Sequence, residues 1–318
     1  MAEVIMNART RGSRIVGWAS ALPDEIVTNH DLAKTLDTNH DWIVERTGIH
    51  SRRVGGSTHD LSVESGQAAI DRAGLTADDI GMVLLATTTP EKQCPATASV
   101  VQDTLGIKGG AFDIQAACSG FVYGLAIADG MISTGIDNIL VIGTDTLSHI
   151  TDWTDRGTAI LFADGSGSMV LSAVEGPGNI LGYSLDSDGA LEKHLYAEHH
   201  GGKLIMNGKE VFRNAVGVMV NTSKDAMAKA GVTIDDIALV VPHQANIRII
   251  ESACKRLKAP MDKVAIVLGH TGNTSSASIP LAFVAAEAEG RIEPGELVLM
   301  TGFGAGMSSA SAVIRWDP

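Results

Sequence analysis

The sequence predicts an α/β fold made of two duplicated halves related by a pseudo-twofold axis, and three observations carry that expectation. First, AIDRAGLTADDIGMVLL at 69–85 and AMAKAGVTIDDIALVV at 226–241 match at about half their positions without a gap. Second, NILVIGTD at 138–145 finds a counterpart in ELVLMTGF at 296–303, at nearly the same offset and far beyond any solenoid repeat. Third, each half alternates apolar runs of strand length with segments of helical spacing, the pattern of a mixed, largely parallel sheet covered by helices. Glycine is abundant at 35 residues and aromatics make up only 4%, which suits closely packed layers. The boundary falls after Glu175, giving halves at 1–175 and 176–318.

Along the first half, residues 1–12 read as a ragged leader and Ser13–Ala21 as the first strand. Short helical patches follow at His30–Leu36 and Asp41–Arg46. Asp60–Ala73 has amphipathic helical spacing and stops at Gly74. Ile80–Thr87 is a continuous apolar run of strand length, and Ala96–Leu105 is expected to be helical with Pro95 in its first turn. Ala111–Gln115 is a short strand, and helical spacing runs from Ser119 to Gly135. Asn138–Gly143 is a strand, and Thr158–Val174 reads as a hairpin turning at Asp164-Gly165. Ser187–Gly208 is a less regular surface excursion before a helix that starts near Gly208. His199 and His200 within it have no third ligand at useful spacing, so a solvated loop is expected rather than a metal site.

A formal net charge of −13 argues against a nucleic-acid backbone or an anionic membrane as the main partner. The three cysteines, at 94, 118 and 254, form no short-spaced pair, which points to a reducing compartment rather than a disulfide frame or zinc site. MAEVIMNARTRG lacks the apolar core of a signal peptide and no run approaches a membrane span, so a cytoplasmic location is expected.

The chemistry centres on GGAFDIQAACSGFVYGLAIADG, in which a strand delivers Cys118 to a helix start. Unpaired N–H groups and the positive end of the helix dipole favour the thiolate there, and small neighbours leave room for a developing oxyanion. In isolation such a cysteine is more often a core residue. The second half supplies partners. VVPHQANIRI places His243 just past a strand end, and LGHTGNTSSASIPLAF places Asn273 at the mouth of a small-residue helix capped by Ser or Thr. Strand C-terminal ends meet at the axis of a two-half fold, so these loops can converge. GFGAGM adds a flexible loop with amides able to complete an oxyanion hole. As a nucleotide fingerprint it is weak, because no long helix with a downstream acidic residue follows.

From Ser13 to Trp316 the chain resembles the β-ketoacyl-acyl-carrier-protein synthase III family. The resemblance rests on TNHDWIVERTGI, FDIQAACSGF, TDWTDRGTAILFADG, MNGKEVF, PHQANIRI, GHTGNTSSASIP and GFGAG. It implies the thiolase fold, with five αβαβα layers, and the condensing reaction that starts fatty-acid synthesis. Cys118 would accept an acyl group from acyl-CoA, and His243 with Asn273 would bind the thioester carbonyl of malonyl-acyl carrier protein. The backbone N–H groups of Cys118 and Ala305 would form the oxyanion hole. Decarboxylation generates the carbanion, so no metal or other cofactor is implied, coenzyme A entering only as the substrate thioester. GFGAGMSSASAV has no second cysteine of the kind degradative thiolases use.

The same resemblance implies that Trp42 and Arg156 flank the CoA adenine, a pairing suited to a planar purine. It places Thr38, Arg46, Asn207, Phe212, Asn246 and Phe303 along the CoA and pantetheine path. Arg213, Arg248, Lys255 and Arg256 would meet the acidic carrier protein, and a homodimer is implied. Leu147 and Cys94 would line the acyl pocket, Cys94 across the dimer from its own active site. Cys94 stands where many relatives have phenylalanine, so the sequence predicts extra room for the starter. Three rivals remain: a papain-like cysteine hydrolase with its Cys, His, Asn order, a non-catalytic acyl-binding paralogue, and a type III relative in specialised metabolism.

Overall fold

The structure, a computed structural model, describes residues 9–198 and 201–318. Most of the leader and the His199–His200 pair lie outside the described residues. Two sheets dominate. The first is ordered Arg11–Ala21, Asp164–Glu175, Asn138–Thr146, Met82–Ala86, Gly110–Ile114. The second is ordered Ile180–Ser187, Ser308–Arg315, Leu297–Phe303, Ile237–Pro242. Both sheets open with two antiparallel pairings and continue with a parallel one. The edge strand Gly110–Ile114 has its counterpart in a single parallel bridge between Val240 and Val264. The chain crosses from one sheet to the other between Glu175 and Ile180.

The layering follows from strand alternation. Val83, Leu85, Leu140, Ile142 and Val170 turn outward onto the helices Thr58–Arg72 and Thr97–Thr104. Leu84, Val141 and Met169 turn inward, where they join Leu239, Val241, Met300 and Ala312 of the other sheet. Between the sheets lie two helices, Gly120–Ser133 and Ser278–Ala288, buried over most of their surfaces and rich in Gly, Ala and Ser. The helices Gly208–Ala230 and Ile247–Leu257 cover the far face of the second sheet. Five αβαβα layers result, which is the thiolase fold.

The internal repeat has a physical basis in its turns. Thr76 donates its N–H to the Asp79 carboxylate at 2.8 Å, and Thr233 donates to Asp236 at 2.8 Å. Each pair is a reciprocal capping box that feeds one strand of each sheet.

Three local expectations change. Thr158–Val174 is not a hairpin: Arg156–Ala159 is a helical turn, and Asp164 opens a long strand between two antiparallel partners. Asp164 stays out of a turn because its buried carboxylate accepts hydrogen bonds from Ser148 N–H and Gly55 N–H. Pro95 precedes the helix, whose N-cap is Ala96; the Asp113 carboxylate accepts the Thr97 and Ala98 N–H groups instead of a cap side chain. The helix after Asn273 begins at Ser278 with no Ser or Thr cap bond, since the turn Ser275–Ala277 leads straight into it.

Candidate active site

Cys118 is the middle residue of a tight turn, Ala117–Ser119, that runs directly into the helix Gly120–Ser133. Ala117 takes φ 46, a left-handed conformation that L side chains adopt at a cost. The end of the strand Leu297–Phe303 presses against this turn. A Cβ on Gly304 would stand 2.5 Å from the Cys118 nitrogen, so only glycine fits. Gly304 N–H donates to the Ser308 carbonyl at 2.8 Å and so fixes the turn that carries Ala305. Burial pushes the Cys118 thiol up to about 12, with the Ser275 hydroxyl pulling the other way. Desolvation thus opposes the thiolate that the helix start favours.

His243 follows the strand Ile237–Pro242, with its N–H donated to the Thr301 carbonyl at 2.8 Å. Its Nδ1 lies 2.6 Å from Ser278 Oγ, and the Phe303 ring meets the imidazole edge-on at 5.4 Å. Burial holds the imidazole pKa down at about 3, so the ring is neutral at working pH. Asn273 is pinned on both backbone sides, donating to Leu161 and accepting from Ala163 at 2.9 Å each. Its Oδ1 accepts the Ser275 N–H at 3.0 Å. Gly272 precedes it at φ 75, where a Cβ would stand 2.7 Å from that of Ala163.

The structure brings the three together. Ser275 donates its hydroxyl to Cys118 Sγ at 3.3 Å and its N–H to Asn273. A Cβ on Gly302 would stand 3.4 Å from the His243 Cβ and 3.6 Å from the Cys118 carbonyl. Sequence reasoning missed Ser275, Ser278 and Asp145. Asp145 is fully buried, accepting Thr88 N–H and Oγ at 2.6 and 2.8 Å and Ser276 N–H and Oγ at 3.0 and 2.8 Å. It thereby holds the second half's turn from the first half. A lone acid closing the apolar run 138–145 was the available signal.

A cavity of about 830 Å³ opens on Cys118, Ser275 and Ala305. Leu147, Ile150 and Phe162 wall one side, and Leu195 and Leu204 of the 187–208 excursion wall another. His243 and Asn273 stand behind this surface, buried. Cys94 is exposed and does not line the cavity of its own chain.

The Trp42 ring lies on the helix His40–Thr47, with the guanidinium groups of Arg156 and Arg46 at 4.8 and 5.0 Å from its centroid. Arg156 and Trp42 are thus in contact rather than spaced for a purine. Thr38 Oγ1 nearby is buried without a hydrogen-bond partner. Asn207 and Asn246 are N-caps of the helices Gly208–Ala230 and Ile247–Leu257, and Asn246 also donates to the Arg46 carbonyl at 3.0 Å. Arg248 stacks over Phe212 at 5.7 Å. Arg213, Arg248, Lys255 and Arg256 are exposed on these two packed helices.

A five-layered fold with a cysteine at one central helix start and a histidine and asparagine behind it defines a thiolase-fold condensing enzyme. Family models match twice: 3-oxoacyl-[acyl-carrier-protein] synthase III at residues 112–189 and its C-terminal region at 227–316. The chain is 44% identical to the β-ketoacyl-[acyl-carrier-protein] synthase III of Roseiflexus castenholzii, over 95% of this chain and 98% of that protein. It superposes on the crystal structure of 3-oxoacyl-[acyl-carrier-protein] synthase III from Aquifex aeolicus with TM-score 0.93 and 40% identity, covering 96% and 100% of the two chains. The priming β-ketosynthase of the R1128 polyketide pathway gives TM-score 0.92 at 32% identity, covering 99% of each chain. The chain belongs to the β-ketoacyl-[acyl-carrier-protein] synthase III family, and it is an acyl-transferring condensing enzyme of fatty-acid synthesis.

Proposed function

We propose that Cys118 is the acyl-accepting residue in the family reaction, the decarboxylative condensation of an acyl-CoA starter with malonyl-acyl carrier protein. The observation that carries this reading is the strained turn holding Cys118 at a helix start, bonded through Ser275 to Asn273. Cys118 sulfur attacks the starter thioester, and its proton leaves with the coenzyme A thiol. Malonyl then loses carbon dioxide, and two neutral donors, the His243 ring and the Asn273 amide, stabilise the enolate oxygen. Ser278 supports that role: it accepts the Gln244 N–H at 3.3 Å, which frees its own hydrogen for His243 Nδ1 and leaves Nε2–H as the donor. The enolate carbon attacks the Cys118 thioester, whose oxyanion faces the N–H groups of Cys118 and Ala305. Carbon–sulfur cleavage releases the β-ketoacyl product. Because decarboxylation makes the carbanion, the site needs no metal or organic cofactor.

Coenzyme A enters along Thr38, Trp42, Arg46, Arg156, Asn207, Phe212 and Asn246, with Phe303 at the base beside His243. The carrier protein meets Arg213, Arg248, Lys255 and Arg256, a basic patch in an acidic chain. A homodimer is favoured by the open edge strand Gly110–Ile114, which pairs on one side only and exposes Phe112. Cytoplasmic placement agrees with free thiols at Cys94, Cys118 and Cys254 and with the absence, among the described residues, of a helix long and apolar enough to cross a membrane. Neither a membrane nor a nucleic acid is a partner in this reading.

The small side chain of Cys94, where many relatives have phenylalanine, favours a starter longer than acetyl, and such a starter also suits the reading in specialised metabolism, where the R1128 enzyme is a structural relative. Incubation with acyl-CoA adds one acyl group per chain on Cys118, and Cys118→Ser abolishes it, read by peptide mass. Label on Cys94 or Cys254 would sink the assignment.

A further inference from the structure

We infer that Ser275 is a positioning residue for the Cys118 sulfur, holding its electron pair by a hydroxyl hydrogen bond whenever that sulfur is not esterified. This deepens, and rests on, the reading of Cys118 as the acyl acceptor. Three observations carry it. The Ser275 hydroxyl donates to Cys118 Sγ at 3.3 Å, and both residues line the head of the cavity. Ser275 takes φ 52, a left-handed conformation in which glycine would be unstrained, yet a side chain stands there. Its backbone is held from two sides, its own N–H on Asn273 and the next residue on Asp145.

The bond discriminates between states of the sulfur. A thiolate is a strong acceptor and a thioester sulfur a weak one, so the hydroxyl favours Cys118 before acylation and again as it departs. In condensation the carbon–carbon bond forms, the carbon–sulfur bond breaks, and the electron pair returns to Sγ, where Ser275 O–H is already aimed. Burial opposes the charge on that sulfur, and Ser275 is the side chain that offsets it.

The pH dependence of Cys118 alkylation tests this without malonyl or carrier protein. Wild type, Ser275→Ala and Ser275→Gly are treated with iodoacetamide from about pH 6 to pH 10, with modification at Cys118 read by mass. A hydrogen bond to an ionised group predicts that both variants move to higher pH by about one unit, or about tenfold slower alkylation near pH 8. Thermal melts confirm folding. Coincident profiles in all three proteins overturn the inference, as does a wild-type profile in Ser275→Gly, because then only the backbone conformation matters. Wild type that alkylates as expected but takes no acyl group on Cys118 from acyl-CoA removes the parent reading instead and leaves the sulfur contact standing.

Discussion

The two halves share a sheet order and differ in their connections, and the division of labour follows those differences. After the strands Met82–Ala86 and Ile237–Pro242, the first half runs a long link to its helix, carrying Cys94. The second runs a short one, carrying His243 and the N-cap Asn246. Between the last two strands the first half inserts Leu147–Ala163, with Arg156 and Phe162, where the second has only the turn around Ala305. The central helices keep closer symmetry. Ala117–Ser119 and Ser275–Ala277 are equivalent turns, and each opens on a left-handed residue. One presents a thiol to the cavity. The other presents a hydroxyl to that thiol and gives its next residue to Asp145.

The largest expected effect breaks this division directly. His243→Ala or Asn273→Ala removes one aligned donor from the second half, worth about 3 kcal/mol, or roughly a hundredfold in condensation. Acylation of Cys118 by acyl-CoA, assayed alone, should change far less. Equal losses in both half-reactions would instead give His243 a general-base role on the thiol. Because burial keeps His243 neutral down to about pH 3, condensation should show no histidine inflection between about pH 5 and 8. The same shift acts on stability. The unfolded chain takes up a proton near pH 6.5 that the folded ring refuses until about pH 3. This contribution is therefore complete above pH 6.5 and is lost as pH falls through that window. Urea melts of wild type and His243→Gln across it should converge toward low pH.

Next comes the bond between the halves. Asp145→Ala leaves the Ser276 and Thr88 donors without their buried carboxylate, and hydrogen bonds to a charged group are each worth about 1.5–3 kcal/mol. A loss of about 3 kcal/mol or more in urea unfolding is expected, with condensation slowed as the Ser275 turn loosens. Unchanged stability would show that each half holds its own turn.

The duplicated scaffold was legible because its repeat is written in local chemistry, Thr76 with Asp79 and Thr233 with Asp236, followed by apolar strands. The placement of Cys118 and His243 was legible for a related reason: each follows a strand run and precedes a helix, while Asn273, which follows the helical turn Leu268–Thr271, was tied to them by motif resemblance. What escaped depends on environment rather than pattern. Desolvation of Cys118 has no sequence signature, so the burial that opposes a thiolate at this helix start was not legible. Ser275 and Ser278 are two among many small polar residues, and their aim at sulfur and imidazole exists only once the second half is folded. Asp164-Gly165 has turn composition, yet it pairs antiparallel with Thr146 and Asp145 as the start of a strand.

A third prediction concerns the long link of the first half. Cys94 is exposed on its own chain, so its proposed place in an acyl pocket requires a partner copy. With a methylene worth about 0.8 kcal/mol on burial, two or three added methylenes shift preference by ten- to fiftyfold. Useful activity with starters longer than acetyl is expected, and Cys94→Phe should return preference toward short chains. A competition series of straight and branched acyl-CoAs, with malonyl carrier held constant, checks both. A wild-type profile confined to acetyl and unmoved by the substitution would mean that the walls at Leu147 and Phe162 set chain length within one copy.

The smallest effect belongs to the other insertion of the first half. Arg156 rests on Trp42 at 4.8 Å and also donates to the Asp37 carbonyl at 2.7 Å. A purine between two planar groups needs about twice the 3.5–4 Å of ordinary contact, so in the proposed coenzyme A site Arg156 must swing out before an adenine enters. Opening that contact gives back much of what the new stack provides, since an exposed cation–π pair is worth about 0.5–1 kcal/mol. Arg156→Ala should therefore raise the KM for acyl-CoA only about two- to fivefold, with kcat unchanged. Trp42→Ala should cost more, because the indole is the fixed wall whether or not Arg156 covers it. Steady-state kinetics on both variants, with a starter thioester of pantetheine as the adenine-free control, separates the two. The control substrate should not distinguish the variants from wild type. An Arg156→Ala loss as large as that of Trp42→Ala would show that the Arg156–Trp42 contact is not the arrangement from which coenzyme A binds.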